Sequence, residues 1–225
     1  MKTLSIWWGN QQSSPITKAA YRAAFKNYQA HFGDILVTEQ MHGIAGQIID
    51  QVQAERWAKA APEGDYLITK EPNLWLGVLT ADCLPIVFFD KTKDVIAIAH
   101  AGWRGTVAGI AQIVLTKLIT NFQVDPQNLQ IFFGPAARSC CYEVGEQFVA
   151  NLAHDQIAQA CVQRRSASYF FDVLHYNMLC LQARGVMAIN FNLDSNVCTI
   201  CNPGYCSYRK ERDATGLQLS LVALR

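Results

Sequence analysis

Residues 74–105, LWLGVLTADCLPIVFFDKTKDVIAIAHAGWRG, carry three apolar runs in succession: Leu74–Leu79, Pro85–Phe89 and Val95–Ala99. Each is short, rich in β-branched and aromatic residues, and bounded by polar or turn-forming residues, which is the pattern of a buried strand. Runs of the same kind occur at Tyr66–Thr69, Leu129–Phe133, Tyr169–Phe171, Val186–Asn190 and Leu219–Ala223, and Ile35–Thr38 reads as another. Apolar residues recur at helical spacing in Lys18–Tyr28, Gly105–Phe122, Val144–Leu152 and Val173–Arg184. Strands outnumber helices and do not alternate strictly with them. This predicts α+β layering rather than a doubly wound parallel sheet.

The chain has 225 residues, 51% of them hydrophobic and 16% charged, with a net charge of +1. That length suits one domain over 1–225 with a well-developed core. No cluster of Lys or Arg marks a nucleic-acid surface. No apolar run reaches the roughly 18 residues of a membrane span, and Met1–Asn10 does not read as a signal peptide. The eight cysteines are therefore expected to be thiols of a cytoplasmic protein rather than a disulfide framework.

Three soft-metal ligands sit at the expected strand ends. His42 follows Ile35–Thr38, Cys83 lies in the bend before Pro85, and His100 closes Val95–Ala99. Two imidazoles and one thiolate form a three-ligand set that leaves a zinc ion an open position. The wide gaps between them do not resemble a zinc finger. Taken alone, each residue is more often a satisfied core His or a small buried hydrophobe. Asp82 precedes Cys83 and on extended backbone points away from it. It either orients a ligand imidazole or carries a proton, or it caps the turn before Pro85.

Gly102–Gly109 leads from a strand into the helix expected at Gly105–Phe122. Helix-terminal N–H groups with Arg104 make a phosphate cradle one reading, and glycines needed only for the turn make the other. Adjacent Cys140 and Cys141 rarely bind one metal together. Glu143 is a better polar candidate, although an early-turn glutamate is favourable with a helix dipole anyway. Cys198 and Cys201, with Cys206 beyond, look like half of a structural zinc site whose second CxxC is missing. Ser207-Tyr208-Arg209-Lys210 is either a ligand-facing loop or a solvated edge.

The blocks EQMHG (39–43), GDYLIT (64–69), LTADCLPI (79–86), HAGWRGTVAGI (100–110), FGPAARSCCYEVG (133–145), CT (198–199) and SYRK (207–210) together resemble the YfiH-like, laccase-domain family. The resemblance implies a four-layer α/β/β/α sandwich with mixed sheets. It also implies a zinc site at His42, Cys83 and His100, with copper an older attribution. The activity it implies is phosphorolysis of purine nucleosides (adenosine, inosine, methylthioadenosine) together with deamination of adenosine. Purine nucleoside and phosphate are then the partners, with Arg104 and Arg209 as substrate or phosphate contacts and Cys83 and Asp82 as catalytic residues. Two departures from the family pattern stand out. The loop Gly9–Pro15 is short and lacks arginine, and Leu217 replaces the usual Arg after Thr-Gly.

Three rival functions follow from the same residues. A cysteine hydrolase would use Cys83 as nucleophile and His100 as base. Copper-dependent phenol oxidation needs a further histidine cluster, and only His31, His154 and His175 remain. A non-catalytic nucleotide- or muropeptide-binding factor in peptidoglycan editing would bind without turnover. The sequence leaves the oligomeric state, a homodimer included, open.

Overall fold

The computed structural model describes residues 2–12, 28–57, 61–212 and 216–225. The expected helix Lys18–Tyr28 falls outside them except for its last residue, and residues 28–32 are helical. Ser13–Pro15 of the first loop also lie outside them.

Two mixed sheets carry the core. The larger has the order β12 (Phe191–Asn192), β8 (Gln130–Phe133), β6 (Leu84–Asp90), β7 (Val95–Ala101), β4 (Tyr66–Thr69), β3 (Gly46–Ile49). The second has the order β1 (Leu4–Trp8), β13 (Gln218–Leu224), β5 (Trp75–Thr80), β2 (Ile35–Val37). Parallel pairs β3–β4, β12–β8 and β2–β5 sit beside antiparallel ones. A small antiparallel sheet joins β10 (Val162–Arg165), β11 (Ser168–Phe171) and β9 (Glu143–Val144).

β7 explains why the layers stack. Its side chains alternate between the two faces of the sheet. Ile96 and Ile98 meet Leu76, Val78 and Val222 of the second sheet, forming the inter-sheet core. Val95, Ala97, Ala99 and Ala101 belong to the core on the opposite face. There the short alanines admit the helix Ile110–Phe122, whose buried residues Ile110, Ala111, Val114, Leu115 and Leu118 recur at helical spacing. The helix Val173–Gln182 packs on the same side. Phe88 is fully buried in this core, and its truncation to alanine costs about 3–5 kcal/mol. A third cluster lies on the outer face of the second sheet, where Trp7, Tyr28, Phe32 and Leu217 pack against Ile35, Val37 and Trp75.

Several expected boundaries change. The helix expected at Gly105–Phe122 is two helices, Trp103–Val107 and Ile110–Phe122. Gly109 separates them at φ 90°, a left-handed conformation that does not continue a helix. Val144 lies in β9, so the next helix begins after Gly145 and spans Glu146–Asn151. Val186–Asn190 is not a strand. Asn190 N–H donates to Met187 O at 3.0 Å, closing a 3₁₀ turn over Ala188–Asn190, and only Phe191–Asn192 pairs with β8. Strands β1 and β3 and the helix Gln51–Trp57 are elements the apolar patterning did not single out.

Candidate metal centre

His100 lies inside β7, opposite Pro85, rather than just beyond the strand. It is 1% exposed. β6 begins at Leu84, so the bend between β5 and β6 delivers Cys83 beside it. His42 comes from the loop after β2, where it adopts a left-handed φ of 59°. The ligand atoms of His42, Cys83 and His100 all lie within 4.8 Å of one another. The two imidazoles meet edge to face, with centroids 4.7 Å apart.

The loop is pinned from two sides. Gln40 pairs with the end of β5 like a strand residue. Its Nε2 donates to Leu79 O at 2.8 Å, and Leu79 N–H donates to its Oε1 at 2.7 Å. On the other side stands Asp65, which is fully buried. Its carboxylate accepts N–H bonds from His42 at 2.9 Å and Gly43 at 2.7 Å. The same group holds His100 Nδ1 at 2.8 Å. Burial would raise the Asp65 pKa, but these bonds and the His100 charge hold it below the ordinary value. An ionised Asp65 makes Nδ1–H the donor and leaves Nε2 of His100 for a ligand. A carboxylate behind a ligand imidazole is the arrangement that fixes metal-binding histidines. Asp65 stands in the GDYLIT block, where no local pattern marks it as a site residue.

Glycine makes the room. A Cβ on Gly102 would stand 3.1 Å from both Cys83 Sγ and His42 Cδ2. One on Gly105 would stand 2.6 Å from Gly43 O, so the helix Trp103–Val107 seats against the His42 loop only with glycine there.

Burial would push the Cys83 thiol up, but the charge and hydrogen bond of His100, helped by His42, bring it down to about 6. Burial would lower His100, while Cys83 and Asp65 raise it to about 9. Without a cation the pair is therefore a thiolate beside an imidazolium. This donor set fits a divalent soft cation. Tetrahedral zinc with bonds of about 2.0–2.3 Å brings such ligands to about 3.3–3.8 Å from one another, within reach of small side-chain rotations.

Asp82 faces another way. Its Oδ1 accepts from Thr199 Oγ1 at 2.6 Å, and its Oδ2 accepts from Ser207 Oγ at 3.0 Å and Arg209 N–H at 2.7 Å. The carboxylate thus binds the C-terminal loop, and the imidazole-orienting acid is Asp65. Arg209 donates from Nη1 to Glu143 O at 2.9 Å and lies 5.1 Å from the Tyr142 ring centroid. Burial, with the negative charges of Cys83 and Asp82, pushes the Tyr142 hydroxyl up to about 12 despite Arg209. Tyr142 therefore stands as a neutral phenol. Arg104 is exposed, with its guanidinium 4.8 Å from the Trp103 ring centroid. Leu217 packs into the outer apolar cluster rather than toward the triad.

A second group of sulfurs is also brought together. The Sγ atoms of Cys140, Cys141, Cys198 and Cys201 lie within 4.8 Å of one another. The adjacent pair, carried on a turn, thus lies beside the CxxC pair, while buried Cys206 stands apart. Burial would raise Cys198, but N–H groups of Cys201, Arg138 and Ile200, with the Cys140 thiol, bring it down to about 7. Burial and the neighbouring sulfurs push Cys141 far up. Among the described residues, His31, His154 and His175 join neither group.

Residues 10–225 match the family model described as multi-copper polyphenol oxidoreductase laccase. The chain belongs to this laccase-domain family. A relative named purine nucleoside phosphorylase YlmD, from Geobacillus stearothermophilus, is 32% identical over 83% of this chain and 71% of its own. An adenosine deaminase from an unknown prokaryotic organism is 32% identical over 75% of this chain and 66% of its own. The crystal structure of YlmD from G. stearothermophilus superposes with TM-score 0.80 at 25% identity, covering 100% of this chain and 92% of that one. The fold is also that of the Bacillus licheniformis protein YfiH, with TM-score 0.86 at 22% identity over 99% and 93% of the two chains.

Proposed function

We propose that this laccase-domain chain is a purine-nucleoside enzyme in which His42, Cys83 and His100 hold a zinc ion. The observation that carries the reading is the convergence of two imidazoles and one thiolate in front of a buried carboxylate. Relatives named phosphorylase and deaminase support the substrate class. When bound, the ion supplies Lewis acidity at an open coordination position.

The protein's own residues do the rest. Asp65 fixes the His100 tautomer and, through two N–H bonds, the backbone of His42. Arg104 and Arg209 bind phosphate or another oxyanion of the substrate, using planar N–H donors suited to that geometry. Phosphate then attacks the ribose C1′ of adenosine, inosine or methylthioadenosine, and the purine leaves. In deamination, water replaces the amino group of adenosine. Asp82, whose two oxygens already accept three hydrogen bonds, acts as a positioning residue for Arg209 rather than as a free proton carrier. The exposed Trp103 ring, next to Gly102, offers a stacking face for the base.

We also read residues 1–225 as one domain in the four-layer sandwich. No helix among the described residues is long and apolar enough to cross a membrane. Thiolate ligands fit a reducing compartment such as the cytoplasm.

The test is incubation of zinc-loaded protein with adenosine, with and without phosphate, and separation of the products. The reading expects adenine and ribose 1-phosphate only with phosphate, and inosine in either case. If neither appears, adenosine is not a substrate. If inosine and methylthioadenosine also stay intact, the reading fails. The low Cys83 pKa beside His100 favours one competitor, a cysteine hydrolase. That mechanism survives chelation and is stopped by alkylating Cys83, whereas the zinc reading predicts loss of activity on chelation.

A further inference from the structure

The four sulfurs of Cys140, Cys141, Cys198 and Cys201 lie outside the centre already described, and the proposed reaction uses none of them. They come from two loops, and Cys140 and Cys201 are 61 residues apart in sequence. We propose that they form a closed tetrathiolate site for one structural zinc ion, separate from the His42, Cys83 and His100 centre.

Geometry supports this over a disulfide. Zn–S bonds of about 2.3 Å in a tetrahedron place the sulfurs about 3.8 Å apart, whereas a disulfide needs about 2.05 Å. Cys140 Sγ and Cys201 Sγ are 4.0 Å apart, and every pair in the group is within 4.8 Å. Arg165 Nη1 donates to Cys140 O at 3.3 Å, placing a cation beside a site where four thiolates outweigh a divalent ion. Four protein ligands complete the tetrahedron, so this site has no open position and its role is structural.

The place in the fold gives it a purpose. The loop after β8 and the loop of Cys198 already meet at the bridge between Ala136 and Cys198 and at Thr199 N–H to Ala136 O, 3.0 Å. From those loops come Tyr142, beside Arg209, and Thr199, bound to Asp82. A zinc ion there staples together two walls of the first centre.

Two full-length variants separate the sites, each prepared under reducing conditions: Cys83→Ser, and the double variant Cys140→Ser/Cys201→Ser. Elemental analysis of the unsubstituted protein is expected to find about two zinc ions per chain, and each variant about one. Cobalt substitution identifies which site remains, because thiolate-to-cobalt charge transfer grows with the number of sulfur ligands. Cys83→Ser retains the intense four-sulfur band, and the double variant keeps only about a quarter of it. Adenosine turnover need not be known for either readout, so failure here is distinct from failure of the proposed function. The proposal is overturned by a Cys83→Ser protein that binds no metal. A double variant with unchanged metal content and spectrum overturns it equally.

Discussion

The two sulfur-bearing clusters solve different problems with similar atoms. In the first, one cysteine sulfur meets two imidazoles, one of them the 1%-exposed His100, with the carboxylate of Asp65 behind His100. In the second, four thiols meet near the surface, two of them on exposed residues. Three ligands leave a coordination position for chemistry, and four close it. The difference teaches that cysteine content says little until the number and kind of its neighbours are known.

Removing one sulfur from each cluster is the strongest way to break the contrast. Cys83→Ala should lower nucleoside turnover by about a thousandfold or more, since several kcal/mol of transition-state stabilisation goes with the metal. Cys201→Ala should act mainly on stability, lowering Tm by several degrees with turnover kept within about tenfold. Equal loss of turnover in both would erase the distinction. Paired melting curves and steady-state rates read both effects.

Asp65→Asn tests the support behind the first cluster. The amide keeps the shape but loses the charge that holds Nδ1–H, so zinc affinity should fall about 10–100-fold. Competition with a chromophoric chelator measures it, and zinc at the second cluster should be unaffected.

The legible and illegible parts of the sequence divide on physical grounds. Strands β4 to β7 showed themselves because each is buried on both faces and therefore nearly continuous in apolar residues. β3, Gly-Gln-Ile-Ile, is an edge strand only partly buried, and four residues with one glutamine carry little pattern. Cys83 and His100 are readable because each stands at the end of or between strong apolar runs, whereas His42 lies several residues beyond its run and is legible through the EQMHG block. Asp65 is not, since nothing local distinguishes a carboxylate that orients a histidine from one that caps a turn. The four-cysteine group was split between two loops and became visible only where Ala136 meets Cys198. Asp82 was noticed for its proximity to Cys83, but the left-handed backbone at φ 85° turns it to the C-terminal loop.

Two smaller tests sharpen the picture of the first cluster. In metal-stripped protein, alkylation of Cys83 by iodoacetamide should be half-maximal near pH 6 and fall as the pH drops through that value. The thiolate is the nucleophile, and His100 keeps it ionised well below the ordinary thiol range. A midpoint near that of an ordinary thiol would show that the imidazolium partner is absent. Gly102→Ala should have the mildest effect. Its Cβ would press on Cys83 Sγ and His42 Cδ2 at 3.1 Å, loosening zinc by a few-fold, which the same chelator competition would resolve.

The pairing of β1 with β13 sets an order on how the chain matures. Among the described residues β1 borders only β13 in its sheet, and β13 holds residues 218–224. Asp82 likewise waits for partners 117 to 127 residues later. Closing such long loops is what slows folding. During synthesis β1, with Trp7 and Trp8, therefore waits for this partner until residues 218–224 have left the ribosome. A chain lacking 218–224 would lose both the sheet partner of β1 and the inner strand that joins it to β5.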